Sequence, residues 1–323
     1  MADVRDLLPF VVAPQWGAWE PVALSMILAG GAALVLAALA SWRPGGNARA
    51  RLFAFAAVCA LPCGLLGVSV PLEQPLRVWE FLARPAFSSW TAWGAYLVPL
   101  GLLCALALLW RAGREGGVPR WLSLAGLATG CLVLAYATGE VRACVGREVW
   151  SSPWMTPVLV AAGACGAVGL ALLLALRLSL GPDASARAGK GLSRWSLGLA
   201  FGCALLALLV PAPRGFAPFV GGWWHAPEAL MALLVLCALA FGGKGSAALA
   251  ARGGAGVLAA MLLLWKVVHM GEIFGRNASL YPAAWAFGDL VSTDALTALA
   301  GTAGLLVVLA VATPLLVPAA SKS

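Results

Sequence analysis

Residues 262–276 read LLLWKVVHMGEIFGR. At 100° per residue on a helix, Lys266, His269, Glu272 and Arg276 fall within one arc of about 120°. If Arg276 marks the membrane surface, Lys266 lies about 15 Å deeper, near the middle of a bilayer. A lysine at that depth needs a partner or water. One reading is a structural pair with Glu228 or Glu20. The other is a polar slot descending from one surface and able to carry protons. Tyr136, Glu140, Glu73, Arg77, Glu80 and Glu20 fall at a similar level on other segments. Tyrosine, carboxylate and imidazole groups beside an apolar slot walled by tryptophans such as Trp93 suit a quinone. Its head takes a hydrogen bond at each oxygen and exchanges protons, and its tail needs lipid.

The elements that must position these groups follow from composition. The chain is 62% hydrophobic and 11% charged, where soluble domains carry about 25% charged residues. Runs of about 20 apolar residues, the length that crosses a bilayer core, recur along it. Nine spans are predicted, at 18–41, 53–71, 89–110, 121–138, 157–176, 195–213, 228–243, 254–274 and 295–317. The seventh is short. Lipid tolerates only helices and closed barrels, and these runs are too long and unbroken for barrel strands. The predicted fold is therefore all-α and polytopic, built round paired helix hairpins or four-helix bundles. It is read as a single membrane domain over 1–323, with an outer segment 1–17, helices over 18–317 and a tail 318–323. The start, MADVRDLLPF, has no basic n-region of the kind a cleavable leader carries.

The net charge of +8 is a topology signal rather than a nucleic-acid footprint. Thirteen of the 21 basic residues lie in alternate loops and the tail, with only Glu115 and Asp183 as acids there. The positive-inside rule places those loops in the cytoplasm, the N-terminus outside and the C-terminus inside. A bacterial inner membrane is the expected location. The opposite loops mix both charge signs with Trp, Phe and Tyr, as a docking face or the mouth of a site would. Those loops hold a repeated pattern: Arg84, Phe87, Ser88, Ser89 and then Arg147, Trp150, Ser151, Ser152. The serines are placed where helices begin and are expected to cap them. Spans 2–3 and 4–5 then read as two related hairpins.

Other chemistries find little support. The two histidines, His225 and His269, differ in depth, and two bis-His haems need four. The eight cysteines include no C-x-x-C pair, and two thiols do not make an iron–sulfur site. Most sit mid-span, where cysteine packs as a small hydrophobe. Only Cys144 is in an outer loop. No metal, haem or iron–sulfur cluster is expected in this chain, and no nucleophile elbow or P-loop occurs.

Four stretches resemble the polysulfide-reductase membrane-subunit (NrfD-like) family and the related dimethyl sulfoxide reductase anchor. They are Trp16-Gly17-Ala18-Trp19 with Glu20; Pro75-Leu76-Arg77 with RPAFSSWTAWGAY at 84–96; Tyr136-x-x-Gly139 with Trp150-Ser151-Ser152-Pro153; and Gly271-Glu272-x-x-Gly275-Arg276. The resemblance implies a haem-free anchor of eight or nine helices that exchanges electrons and protons with the quinone or menaquinone pool. It further implies docking of a four-cluster ferredoxin-like iron–sulfur subunit, which serves a molybdopterin catalytic subunit. Carried onto this chain, Tyr136 would bind the quinone head, with Glu73 and Glu140 handling protons. Arg77, Glu20, Trp93, His269 and Lys266 would complete the pocket, and Arg84, Arg147, Trp150 and Arg276 would dock the partner. Two positions depart from the family pattern, Pro71 for an acid or histidine and Ser151 for an asparagine. The alternatives are a proton-coupled transporter and a structural anchor that has lost its quinone site.

Overall fold

The computed structural model describes residues 17–72, 74, 77–175, 182–209, 225–240, 245–273 and 292–316. The described elements are α1 (Trp19–Ser41), α2 (Asn47–Ser69), α3 (Glu80–Ala83), α4 (Trp90–Ala112), α5 (Arg120–Arg142), α6 (Glu148–Ser151), α7 (Met155–Leu174), α8 (Pro182–Leu209), α9 (Ala226–Ala240), α10 (Ser246–Ile273) and α11 (Thr293–Leu316). Among the described residues, eight helices are long and apolar enough to cross a membrane, and α9 is a shorter apolar helix. Its 15 residues rise only about 22 Å against a bilayer core of about 30 Å. The nine predicted spans thus each find a helix. The protein is a multi-pass membrane protein.

The long helices alternate in direction and form two groups. In the first, α1, α2, α4 and α5 pack round one another; in the second, α7, α8, α9 and α10 do the same. The groups meet where α1 packs on α7 and α10, and α11 lies against α1 and α2. We call upper the face formed by the starts of α1, α4, α7, α9 and α11 and by the ends of α2, α5, α8 and α10.

Apolar lipid gives helices no hydrophobic reason to associate, so close packing of small residues supplies the contact. α5 crosses α1 so closely that a Cβ on Gly130 would stand 2.9 Å from the Gly31 carbonyl oxygen. Across the second group a Cβ on Gly253 would stand 2.8 Å from the Gly169 carbonyl oxygen. Side chains also tie helix ends. Ser41 and Ser123 share a 2.5 Å hydrogen bond at the lower end of α1 and α5. Asp294 accepts the Ala18 amide at 2.7 Å, so the start of α11 caps the start of α1.

Two expectations change. Spans 4 and 5, now α5 and α7, fall in different helix groups, whereas spans 2 and 3 share one; they are not equivalent hairpins. The two Arg-aromatic-Ser-Ser stretches also differ. Ser89 is the N-cap of α4, with extended backbone but no side-chain capping bond. Ser151 instead ends the short helix α6, and α7 begins only at Met155. Phe87 of the first copy is 54% exposed and Trp150 of the second 3%.

Candidate functional site

Tyr136 and Glu140 stand four residues apart near the upper end of α5, so both face the same way. Tyr136, 3% exposed, lies about 9 Å below the last residue of its helix. It shares a hydrogen bond with the Glu140 carboxylate, and Glu20 in the first turn of α1 is close enough to act on it electrostatically. Thr91 Oγ1, in the first turn of α4, donates to Glu140 Oε1 at 3.0 Å. Threonine, glutamate and tyrosine thus form one hydrogen-bonded chain between two helices. In a medium without water each member depends on the next, because an unpaired buried polar group costs about 1–3 kcal/mol.

Glycines make room for this chain. A Cβ on Gly94 of α4 would run into the Tyr136 ring and hydroxyl, and one on Gly139 of α5 would stand 2.8 Å from the Trp90 ring. Each helix therefore inserts an aromatic side chain over the other's glycine. All four residues belong to the stretches that carry the family resemblance, 84–96 and 136–139. Replacing Gly94 with leucine should displace the Tyr136 ring at a packing cost of about 1–3 kcal/mol. A shift in Tyr136 fluorescence or ring NMR signals in the purified protein, with the helix content unchanged, would check it.

Residues 77–89 lead into the upper end of α4. A cleft of about 520 Å³ lies there, lined by Gln74, Arg77, Glu80, Arg84, Ser89 and Ala92 among others. Arg77 clamps Glu80 with two hydrogen bonds of 2.5 and 2.8 Å and holds Gln74 at 2.7 Å. The Glu80 carboxylate raises the affinity of this exposed guanidinium for its proton. Trp93 Nε1 donates to the Phe87 carbonyl at 3.0 Å and Tyr96 Oη to the Leu82 carbonyl at 2.7 Å. These two bonds pin the segment to α4. Trp93 is thereby committed to the segment. Cys144, just past α5, keeps its proton: burial pushes the thiol up and the nearby Glu140 charge adds to it.

The residues grouped by sequence as one quinone pocket separate into two places. Tyr136, Glu140 and Glu20 converge in the first helix group, and Arg77 lines the cleft by the start of α4. Lys266 and His269 belong to the second. There Lys266 pairs with the Glu228 carboxylate and donates to the Ala207 carbonyl at 3.0 Å, while the His269 ring lies 4.5 Å from that of Trp265. Glu73, Arg276 and the Glu272 side chain lie outside the described residues. Trp150 is corrected. It is no part of an exposed dock: its Nε1 donates to the Val267 carbonyl at 2.8 Å, and its ring fills the space a Cβ on Gly271 would take. Arg147 lies over that ring at 6.0 Å. Arg84 is exposed, as a docking residue must be.

Thr91, Trp90, Gly94 and Gly139 were not picked out from sequence as site residues. One signal was available: on each helix an aromatic and a glycine stand one turn apart, at 90 and 94 and at 136 and 139.

Compared with known families, residues 14–270 match the family model described as polysulphide reductase, NrfD. No curated protein matches the chain.

Proposed function

Because the chain belongs to the polysulphide reductase NrfD family, we propose that it is the quinone-exchanging anchor of a respiratory oxidoreductase complex. The observation that supports this reading is the Thr91–Glu140–Tyr136 chain near the upper end of the first helix group, with the Tyr136 side chain buried. Oxidising a quinol releases two electrons and two protons, and reducing a quinone takes them up. The protons need acceptors at the ring oxygens and a route to water. Tyr136 is the candidate for the inner end of such a route, with Glu140 next to it; Arg77, Glu80 and Gln74, in the cleft by the start of α4, are the candidates for its wet end. Tyrosine hydroxyl can donate or accept one hydrogen bond at a quinone oxygen. Thr91 holds the Glu140 carboxylate in place, so proton transfer requires no rearrangement of the helices. Glu73 is the candidate for the second proton.

The electrons leave or arrive through a partner. The upper face is the proposed dock for a four-cluster ferredoxin-like iron–sulfur subunit and, beyond it, a molybdopterin catalytic subunit. Arg84 and Arg147 are the described residues suited to meet acidic groups there, and Arg276 is a further candidate. The chain itself is proposed to carry no haem and no iron–sulfur cluster, with quinone or menaquinone as a passing substrate. The charge pattern of the lower loops supports a bacterial inner membrane with the upper face towards the periplasm.

Isolated with its partner chains, the protein should turn over a soluble quinol or quinone analogue. Glu140→Gln keeps the acceptor for Thr91 but cannot take a proton, and should slow that turnover about a hundredfold. Wild-type turnover that is absent, in a preparation whose partner clusters still reduce with dithionite, would leave only the structural-anchor role.

A further inference from the structure

The lower end of the first helix group gathers arginines that quinone chemistry does not use. α1 and α4 end there, at Ser41 and Ala112, and α2 and α5 begin there, at Asn47 and Arg120. The connection from α4 to α5 turns tightly on Gly116 and Gly117, whose φ angles of 84° and 65° lie in the left-handed region. It rests on the start of α2, since a Cβ on Gly117 would stand 2.5 Å from Asn47 Nδ2. Ala40, Ala50 and Ala112 pack together beside it, with Val118 against them. Three guanidinium groups gather round this connection. Arg51 of α2 is 4% exposed, and its Cζ would stand 3.3 Å from a Cβ on Gly113. Arg111 Nη2 donates to the Gly117 carbonyl at 3.4 Å. The Arg114 guanidinium lies over the Trp110 ring, 4.5 Å from its centre.

The two connections and their flanking turns carry Arg43, Arg49, Arg51, Arg111, Arg114 and Arg120 against one acid, Glu115. Helix dipoles do not offset this excess. Two helix ends with partial negative charge meet two helix starts with partial positive charge, and the four cancel. Setting the topology asks only for basic residues in a hydrated loop. It does not ask for one drawn into the helix packing, as Arg51 is, or for one laid on an aromatic ring, as Arg114 is. Trp42, Trp110 and Trp121 are all exposed around the connections, as tryptophans at headgroup level are. On α4, exposed Leu103, Leu106 and Trp110 form an apolar stripe that runs down to Arg114.

We propose that the lower end of α4 is a binding site for an anionic membrane lipid, with Arg111 and Arg114 meeting its phosphate. A guanidinium presents paired N–H groups that match phosphate oxygens. Arg51 does not touch the lipid; its charge adds to the field from inside the packing, where salt screens it little. The acyl chain lies along Leu103, Leu106 and Trp110. That stripe is what favours a lipid over free phosphate, which has nothing to place there. A headgroup with net negative charge is favoured over a zwitterionic one, whose own cation would face the arginines. The site lies in the leaflet opposite the cleft by the start of α4, and it takes no part in electron or proton transfer.

The test needs no quinone and so fails or succeeds apart from the anchor reading. Native mass spectra of the full-length protein in detergent micelles would be recorded during titration with dioleoyl phosphatidylglycerol or dioleoyl phosphatidylcholine, which share their acyl chains. One phosphatidylglycerol should bind about tenfold more tightly than phosphatidylcholine. Arg114→Gln changes an exposed side chain past the end of its helix and should leave the helix content intact; it should weaken phosphatidylglycerol about fivefold. Arg111→Gln with Arg114→Gln should abolish the preference. Arg49→Gln removes the same charge from the opposite side of α2, 200° round the helix from Asn47, and should change little. Excess inorganic phosphate should leave the bound lipid in place. Equal affinity for the two lipids, or equal losses in Arg114→Gln and Arg49→Gln, would show diffuse charge that only sets topology. Displacement by inorganic phosphate would show a site for the free anion. Any of these three results overturns the proposal.

Discussion

Tyr136→Phe is expected to lower quinone-linked turnover by about a hundredfold while leaving the protein folded and its partner bound. The change removes one hydroxyl and little else. The ring still fills the notch above Gly94, so the α4–α5 crossing stays closed. Glu140 keeps its hydrogen bond from Thr91. What is lost is the group proposed to meet a quinone oxygen and pass its proton, and a positioned proton-transfer group is worth about 10²–10⁴ in rate. Turnover with saturating quinol analogue, beside electron transfer from dithionite into the partner's clusters, separates the two roles. A slower first rate with an unchanged second assigns the loss to the quinone step. Equal rates in variant and wild type would mean that Tyr136 only packs.

The second large effect is on stability. Lys266→Met leaves Glu228 buried with its charge uncompensated, and breaking a buried pair in this way costs roughly 3–5 kcal/mol. Lys266 also bridges α8 and α9, so the loss falls on the short helix α9 and its neighbours. Lys266→Met combined with Glu228→Leu removes both charges and should recover most of the stability. Thermal unfolding in a mild detergent would compare the three proteins. A double variant no more stable than the single one would show that the pair is not what holds α9.

Depth was legible in the sequence, and partnership was not. A rise of 1.5 Å per residue places Tyr136, Glu140 and Glu20 near one end of their helices and Lys266 deeper from the same side, and the structure has Glu20 in the first turn of α1 and Tyr136 and Glu140 in the last turns of α5. The rise does not say which helices touch. Lys266 and His269 were therefore grouped with Tyr136 although α10 packs with α7, α8 and α9. The Lys266–Glu228 pair was legible as one alternative because a lysine at that depth needs an acid, and Glu228 lies at a matching level. Trp150 misled for a related reason. An aromatic residue between arginine and serines resembles an exposed interfacial one, and its burial depends on a glycine 121 positions later, Gly271, on another helix. The aromatic–glycine interlock of α4 and α5 was visible only as motif text, since its meaning needs both helices side by side.

The central claim is that quinone meets this chain between α4 and α5, and photo-crosslinking tests it most directly. A quinone analogue with a photoreactive group on its ring would be bound to the purified complex, irradiated, and the labelled peptides mapped. Labelling within 84–96 and 131–142 that excess natural quinone prevents is the predicted result. Labelling confined to 225–273 would contradict it, placing the quinone in the second helix group beside Lys266.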